Sequence, residues 1–332
     1  MSKPKAWVSR PFFPDIVDRL REHFDVVAET EERAFTPQEL AERLADADAA
    51  IVGLADRIDA DVLKHAPKLR FVANLGVGYN NLDLDALTEA GVGASNTPDV
   101  LNETVADYAW ALMLAAARRV GEAERWLRAG QWKGSRFEGW LGADVHGKTI
   151  GILGMGRIGQ AIARRAQGFR SPVIYHNRSR LDARVETECG ATYVDKATLL
   201  AQADHLILVL PFTPANRHII GAAELKTMKP TATLINVARG GIVDDEALAR
   251  ALADGEIAAA ALDVFEGEPK VHPDLLQLDN VVLSPHIASA SRDTRRGMAS
   301  LAVDNVLAAF GHGPCAGRPP TILNPGVLAD AS

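Results

Sequence analysis

The chain has 332 residues, of which 47% are hydrophobic and 24% are charged, and its formal net charge is -7. This composition is typical of a soluble globular protein with room for two domains. The negative net charge argues against a general nucleic-acid-binding role. Cys189 and Cys315 are the only cysteines and do not form a close metal-type pair, so we expect neither a disulfide nor a metal site.

The chain shows no apolar stretch of the kind that marks secretion or membrane insertion. Pro11 and Pro14 follow the first short apolar run, and no later run reaches the length of a signal-peptide core or a membrane span. These features predict a cytoplasmic protein that does not bind a membrane.

Short apolar strands alternate with helical segments over the first hundred residues. Strands are predicted near residues 6–8, 25–27, 49–53, 69–73 and 92–95. Helices are predicted over residues 16–23 and 60–66, and Thr36 followed by Pro37 is a typical helix start. Alternation at this spacing predicts a parallel sheet with helices on both faces.

A long helix predicted over residues 103–120 separates this region from a second alternating one. There the predicted strands lie near residues 150–153, 173–176, 206–210, 232–237, 258–262 and 281–283, with helices near Glu224, Glu246 and Asp274. The second region is therefore predicted to be another doubly wound domain.

The helix predicted over residues 292–310 has no obvious place beyond the last strand of the second region. We expect it to return to the first domain, which is then discontinuous and comprises residues 1–100 and 287–332, while residues 101–286 form the second domain. The tail from Gly311 is rich in proline and is predicted to be a strap or a loose end rather than a long helix.

A glycine-rich turn joins the strand near residue 150 to the next helix. Gly154 permits the tight turn, Gly156 allows phosphates to approach the backbone, and Gly159 lets the helix lie close to the strand. The helix N-terminus offers N–H groups and a positive dipole end to an anion. Because a strand follows at the distance of a βαβ unit, we expect a Rossmann domain that binds a dinucleotide through Gly154, Met155, Gly156, Arg157 and Ile158.

The end of the second strand of this unit indicates which cofactor is preferred. A carboxylate there binds the ribose 2′-hydroxyl and repels a 2′-phosphate, but this chain has Asn177-Arg178-Ser179-Arg180 instead. A cation beside neutral hydrogen-bonding groups suits a phosphate, so we predict NADPH over NADH. The alternative is that Arg178 and Arg180 are solvated loop charges.

Three polar residues follow later strands of the second region and are candidates for catalysis. Arg239 precedes two glycines, so its guanidinium is expected to be available to a carboxylate. Glu268 and His286 follow the next two strands, and a carboxylate bonded to an imidazole fixes the tautomer that a proton donor needs. Each has an ordinary alternative: a loop arginine, a solvated turn glutamate and a strand-end histidine.

Several segments together resemble the D-isomer-specific 2-hydroxyacid dehydrogenases, over nearly the whole chain. The matching segments are residues 75–80, 105–107, the glycine-rich turn, Leu210-Pro211, 236–241, 261–265 and 284–288. The resemblance implies a Rossmann cofactor domain and a flavodoxin-like substrate domain with a cleft between them. It also implies a homodimer, in which Trp132 or Trp140 walls the partner's substrate cleft, although interface or core packing explains both tryptophans as well.

The resemblance assigns a role to each candidate residue. It implies that Arg239 binds the substrate carboxylate and polarises the ketone, that His286 is the acid/base and that Glu268 orients it. Backbone groups of Val77 and Gly78 are implied to hold the carboxylate from the smaller domain. The cofactor contacts implied or expected are Thr104, Gly154, Met155, Gly156, Arg157, Ile158, Asn177, Arg178, Ser179, Leu210, Pro211, Val237, Ala238, Asp263 and His286; a plain helix cap is the alternative for Asp263.

The sequence departs from the usual family pattern at Asn177-Arg178, where an acidic residue is common, and at Asn216, where a threonine is frequent. At Asn177-Arg178 the sequence resembles those of the glyoxylate, hydroxypyruvate and 2-ketogluconate reductases. We therefore predict an NADPH-dependent reductase of these small 2-oxo acids to D-2-hydroxy acids. The alternatives are another family activity, such as phosphoglycerate, formate or phosphite oxidation, and a non-enzymatic regulator that senses the cofactor.

Overall fold

The computed structural model describes residues 2–135 and 137–329, and the chain folds into two compact units. One unit comprises Met1–Leu101 and Ser291–Ser332, and the other comprises Asn102–Ala290. The second boundary lies four residues later than the sequence analysis placed it. The reason is that the Asp263 carboxylate accepts hydrogen bonds from the backbone N–H groups of Ile287 and Ala288, which ties this segment to the Asn102–Ala290 unit.

The discontinuous unit contains a five-stranded parallel sheet in the spatial order β2-β1-β3-β4-β5. Its central strands are buried along their whole length, as the apolar runs predict. The strands are β1 (Lys5–Val8), β2 (Asp25–Ala28), β3 (Ala49–Val52), β4 (Phe71–Asn74) and β5 (Gly93–Ser95), and the helices that connect them are α1 (Pro14–Arg21), α2 (Pro37–Leu44), α3 (Ala60–Leu63) and α4 (Leu84–Glu89).

The Asn102–Ala290 unit contains a seven-stranded parallel sheet in the order β12-β11-β10-β9-β6-β7-β8. Its strands are β6 (Ile150–Leu153), β7 (Val173–His176), β8 (Ala191–Tyr193), β9 (His205–Leu208), β10 (Thr233–Asn236), β11 (Ala259–Leu262) and β12 (Val281–Leu283). Its helices are α5 (Asn102–Ala117), α6 (Val120–Arg128), α7 (Arg157–Ala166), α8 (Ala183–Cys189), α9 (Lys196–Gln202), α10 (Ala222–Thr227) and α11 (Asp245–Ala253).

Two helix predictions for this unit need correction. The helix predicted over residues 103–120 ends at Ala117, and a separate helix begins at Val120, because Arg119 adopts a left-handed conformation with φ of 55°. The helix predicted near Asp274 is only a 3-10 turn over Leu275–Gln277. Residues 183–202, which the sequence analysis left unassigned, form α8, β8 and α9.

The chain then returns to the five-stranded sheet through α12 (Arg292–Ala309), whose apolar side chains pack against β3, β4 and α1. The tail that follows is a strap. The backbone N–H of Leu323 donates to Ala94 O (2.7 Å), and Asn305 binds Thr321, before the short helix α13 (Gly326–Ala329).

Among the described residues, no helix is both long and apolar enough to cross a membrane. Over residues 2–135 and 137–329, no three histidine, cysteine, aspartate or glutamate side chains come together as metal ligands.

Candidate active site

The carboxyl edge of the seven-stranded sheet collects most of the residues that the sequence analysis singled out. Because all seven strands are parallel, every loop that follows a strand opens on the same edge. These loops carry Gly154–Ile158 after β6, Asn177–Ser179 after β7, Leu210 and Pro211 after β9, Val237–Arg239 after β10, Asp263 and Glu268 after β11, and His286 after β12. Thr104 lies in the first turn of α5.

The glycine-rich turn after β6 is shaped by contacts that no other residue permits. Gly154 has φ of 104°, and a Cβ there would lie 2.8 Å from the backbone of Val209. A Cβ on Gly159 would lie 2.3 Å from Gly154 O, so only glycine allows α7 to approach β6 this closely. A Cβ on Gly156 would meet nothing within 4 Å, so the outer face of the turn is open.

The N-terminus of α7 fits the pyrophosphate of a dinucleotide. Gly156 is the N-cap of this ten-residue helix, no side chain caps it, and no acidic residue lies in its first turn. The first-turn N–H groups and the positive end of the helix dipole therefore face the open side of the turn without a competing carboxylate. This surface fits NAD(P) by its shape and by its charge.

In the loop after β7, some polar side chains are hydrogen-bonded within the protein and others are exposed. Asn177 Oδ1 accepts a hydrogen bond from Met155 N (2.6 Å), so Asn177 joins this loop to the glycine-rich turn. Arg180 forms two hydrogen bonds with Glu186. Arg178 and Ser179 are exposed and form no hydrogen bond or ion pair with the described residues. Of the two arginines, only Arg178 has a guanidinium without a carboxylate partner among the described residues.

Glu268 and His286 form a pair at the edge of the sheet. Glu268 Oε2 lies 2.8 Å from His286 Nδ1, and Glu268 Oε1 accepts a hydrogen bond from Phe265 N (2.9 Å). Because a carboxylate only accepts, Nδ1 carries the proton in both charge states of the ring, and Nε2 is the nitrogen that gains or loses one. The pair therefore presents a proton donor and acceptor whose tautomer is fixed.

Asp263 holds the backbone that carries His286. His286 is not a glycine yet has φ of 53°, a conformation that costs about 1 to 2 kcal/mol. The buried Asp263 carboxylate accepts from Ser284 Oγ and from the N–H groups of Ile287 and Ala288, at 2.7 to 2.8 Å. Hydrogen bonds to a charged group contribute about 1.5 to 3 kcal/mol each, so they outweigh the strain.

The loop of Arg239 packs flush against the loop of Glu268. A Cβ on Gly240 would lie 1.8 Å from Phe265 O, so only glycine allows this approach. Asn236 shapes the turn, since its side chain accepts from Ala238 N (3.0 Å) and donates to Arg239 O (3.3 Å). The Arg239 guanidinium donates to Ala238 O and interacts electrostatically with Glu268.

The ionisable groups at this edge have shifted pKa values. Burial acts to raise the pKa of Glu268, but the hydrogen bond and the charge of His286 outweigh it, so the pKa lies below its ordinary value. Burial raises the pKa of Asp263, and it lowers the pKa of Arg239, against the charge of Glu268. An arginine remains charged despite such a shift, so Arg239 can bind an anion.

In the discontinuous unit, the loop that follows β4 turns its carbonyl groups inward. Gly76 O accepts from Thr97 N (3.0 Å), Val77 O from Asn96 Nδ2 (2.7 Å) and Gly78 O from Asn74 Nδ2 (2.9 Å). The N–H groups of Val77 and Gly78 form no hydrogen bond with the described residues. A run of unused N–H groups is a nest that suits a carboxylate.

Sequence reasoning missed the residues that support these sites. Asn74 is the last residue of β4 and Asn96 follows β5, yet nothing local indicates that they bind the 76–78 carbonyl groups. The same holds for Ser284, whose hydroxyl donates to the Asp263 carboxylate, and for Tyr108, which lies near both residues. Only the Asn236 turn carries a local signal, because asparagine commonly bonds the backbone two residues ahead.

The tryptophans expected near a dimer interface behave differently from each other. Trp140 packs edge-on against Trp126, with ring centroids 5.1 Å apart, and lies beneath the Arg119 guanidinium. Trp132 is 60% exposed. Other large apolar side chains exposed on the same stretch of the described chain are Val120, Leu127, Phe137 and Leu141.

Comparison with known proteins identifies the family to which the chain is similar. The NAD binding domain of the D-isomer specific 2-hydroxyacid dehydrogenases matches residues 110–288. Glyoxylate reductases of Thermococcus onnurineus and Thermococcus gammatolerans are 48% and 46% identical over 331 residues, covering 98% of this chain and 97% of each relative. The crystal structure of an NADPH-dependent glyoxylate/hydroxypyruvate reductase from Sinorhizobium meliloti, in complex with NADP and malonate, is 37% identical with a TM-score of 0.86 and covers 98% of both chains.

Proposed function

The chain belongs to the D-isomer-specific 2-hydroxyacid dehydrogenases, and from that premise we propose that it is an NADPH-dependent reductase of small 2-oxo acids. Glyoxylate and hydroxypyruvate are the proposed substrates, with 2-ketogluconate as a third candidate, and the products are 2-hydroxy acids, of D configuration where carbon 2 is chiral. The observation that carries the proposal is the Glu268–His286 pair beside Arg239, at the sheet edge that also holds the dinucleotide-binding turn. We assign cofactor binding and the candidate catalytic residues, with Arg239 among them, to the Asn102–Ala290 unit, and a further carboxylate-binding loop, residues 76–78, to the discontinuous unit.

His286 supplies the proton in this proposal. Nδ1 is held by Glu268, so the proton leaves from Nε2 and goes to the keto oxygen as the carbonyl is reduced. Glu268 stabilises the charged ring before transfer and keeps the neutral ring in place afterwards. Bound NADPH supplies the hydride that reduces the keto carbon.

Each unit offers groups that suit the anionic end of the substrate. The Arg239 guanidinium can donate two parallel hydrogen bonds to a carboxylate and also stabilises the negative charge that grows on the keto oxygen. The N–H groups of Val77 and Gly78 are also proposed to bind a carboxylate. Hydrogen bonds from Asn96 and Asn74 hold the carbonyl groups of these two residues, and their N–H groups remain available. Thr104, Leu210, Pro211, Val237 and Ala238 remain proposed cofactor contacts.

Asp263 remains a proposed cofactor contact as well as a support for the His286 loop. A carboxylate has about four acceptor positions, and three hydrogen bonds to residues 284–288 leave one for a carboxamide N–H.

The NADPH preference rests on Arg178. It is exposed, it lies at the end of β7, and no described carboxylate neutralises it. Replacing Arg178 by Ala should lower kcat/KM for NADPH by about 10- to 100-fold, the loss of a charge-assisted hydrogen bond, and change the value for NADH less than twofold. The matched control is Arg184→Ala, which removes an exposed arginine of α8 that is paired with Glu188. Equal losses for both cofactors in Arg178→Ala would refute the 2′-phosphate contact.

The substrate proposal is tested by the configuration of the product. Hydroxypyruvate with NADPH should give D-glycerate, identified by chromatography on a chiral column, and glyoxylate should be reduced in the same assay. L-glycerate would contradict the proposed placement of the proton donor. Cofactor binding with no turnover of any 2-oxo acid would favour the cofactor-sensing regulator instead.

We also propose a homodimer formed through residues 120–141. This stretch exposes Leu127, Trp132, Phe137 and Leu141, and part of it borders an apolar groove of about 640 Å³ at the amino ends of β10 to β12. Exposed apolar surface of this kind is typical of a protein–protein interface. We propose that a second copy of the chain covers it, because most soluble homo-oligomers are two-fold symmetric dimers. Light scattering after size-exclusion chromatography should give about twice the 35.6 kDa chain mass, and Phe137→Ser with Leu127→Ser should lower it.

A further inference from the structure

Glu186 lies at the centre of a cluster that fixes one end of the loop between β7 and α8. Its Oε1 accepts hydrogen bonds from Tyr175 Oη (2.7 Å) and Arg180 Nε (2.9 Å), and its Oε2 accepts from an Arg180 terminal nitrogen (2.7 Å). Tyr175 is fully buried in β7, and the Glu186 side chain is 10% exposed. Buried polar groups of this kind are ordered when every acceptor has a partner, as here.

The cluster also holds the loop backbone. The Tyr175 hydroxyl accepts a hydrogen bond from Leu181 N (2.9 Å), so one hydroxyl links the loop backbone to Glu186. Burial and the bond to Glu186 raise the pKa of Tyr175 to about 12, and Arg180 and Tyr175 lower the pKa of Glu186. At neutral pH the tyrosine is therefore a neutral donor and the glutamate a charged acceptor.

The other end of the loop is fixed independently. Asn177 Oδ1 accepts from Met155 N, and Tyr193 Oη donates to Asn177 O (3.5 Å). Between these two anchors, Arg178 and Ser179 form no hydrogen bond or ion pair with the described residues, and both are exposed. The loop is thus rigid at both ends and presents one cation and one hydroxyl in its middle.

We propose that Glu186 is a specificity-determining positioning residue, which preorganises Arg178 and Ser179 for the cofactor 2′-phosphate and withholds Arg180 from it. The proposal rests on the NADPH preference proposed above. Preorganisation raises affinity because the loop has less conformational freedom to lose on binding. Glu186 itself does not touch the ligand, so its effect is confined to ligands that carry the 2′-phosphate.

The test uses adenosine 2′,5′-bisphosphate and AMP as probes of the purified full-length protein, with dissociation constants from calorimetry. Wild type should bind the bisphosphate at least about tenfold more tightly than AMP, the effect of one charge-assisted contact. Glu186→Gln should remove most of this ratio by weakening the bisphosphate alone. Tyr175→Phe, which deletes only the hydroxyl, should weaken it about two- to fivefold, the loss of one neutral hydrogen bond.

Glu188→Gln is the matched control, because Glu188 is also on α8 and also binds an arginine, Arg184, but does not contact the loop. It should leave both probes unchanged. In steady-state assays Glu186→Gln should raise KM for NADPH with little change in kcat or in KM for NADH, and Glu186→Asp should restore part of the preference.

The outcomes separate the two proposals. If wild type does not prefer the bisphosphate, the NADPH proposal fails whatever the variants do. If wild type prefers it and Glu186→Gln is unchanged, only the positioning role of Glu186 is wrong. Tighter bisphosphate binding in Glu186→Gln would show that Arg180 is a phosphate ligand once released. Equal loss for both probes would show a merely structural role.

Discussion

The two units carry different kinds of candidate functional groups. At the edge of the seven-stranded sheet the candidate chemistry lies in side chains: His286, Glu268 and Arg239 project from loops whose backbones are held by buried polar residues. In the 76–78 loop of the other unit the proposed functional groups are backbone N–H groups, and the side chains of Asn74 and Asn96 hold the carbonyl groups of the loop.

This difference has a consequence for mutation. A side chain that transfers a proton or stabilises charge acts on the rate of the chemical step, whereas an N–H nest that binds a carboxylate equally in substrate and transition state acts on KM. Substitutions at the sheet edge should therefore lower kcat, and substitutions beneath the 76–78 loop should raise KM.

His286→Asn should give the largest effect, a loss of kcat of about 10³-fold, because an asparagine amide can form hydrogen bonds but neither releases nor takes up a proton near neutral pH. NADPH binding, followed by fluorescence, should change less than twofold. His146→Asn, at an exposed histidine of the same unit, is the control. Turnover of His286→Asn within a few fold of wild type would contradict the assignment of His286 as the acid/base.

Arg239→Lys should have the second largest effect and lower kcat/KM for glyoxylate by about 10²-fold. Lysine keeps the charge but loses the planar pair of donors that matches a carboxylate and the growing oxyanion. Arg250→Lys on α11, where the arginine is exposed and paired with Glu246, should be silent. An effect confined to KM would place Arg239 with the binding groups rather than with the chemical ones.

Glu268→Gln should change the pH profile of reduction. The pKa of Glu268 lies below its ordinary value, so in wild type it is a carboxylate at neutral pH, and its contribution to stability is lost only as pH falls through that lowered pKa. Without the carboxylate, activity should be lost first on the alkaline side of the profile, because the charged, proton-donating form of the ring has lost its partner. An unshifted profile would contradict the orienting and charge-stabilising role.

Asn96→Ala should give the smallest effect, a rise in KM for glyoxylate of about fivefold with kcat unchanged, since one hydrogen bond to Val77 O is lost. Asn96→Asp should raise KM further, because it sets a carboxylate against that carbonyl oxygen. A fall in kcat with unchanged KM would contradict the claim that the 76–78 loop acts on substrate binding and the sheet edge on the chemical step.

Much of the fold follows from the sequence because its strands are buried on both faces. Runs such as Ala49–Val52 and Leu234–Ile235 are apolar throughout, which is typical of parallel strands, and the glycine-rich turn marks the edge where the cofactor binds. The catalytic candidates were found because each follows such a strand.

The missed elements are short and polar. α8 and α9 each have only seven residues, about two turns, so too few positions repeat for a helical periodicity to stand out. Their N-caps, Asp182 and Asp195, are local signals that could have revealed them. The contact of Glu186 with Tyr175 and Arg180 depends on how α8 packs against β7, and no spacing in the sequence specifies that.

The most direct test of the account is the oxidation of NADPH and NADH by the wild-type protein, followed by absorbance, with glyoxylate, hydroxypyruvate, pyruvate and 2-ketogluconate in parallel. We predict rapid oxidation with glyoxylate and hydroxypyruvate, with kcat/KM at least about tenfold higher for NADPH than for NADH. Equal or better use of NADH would contradict the role of Arg178, and no oxidation with any of the four acids would contradict the proposed reaction.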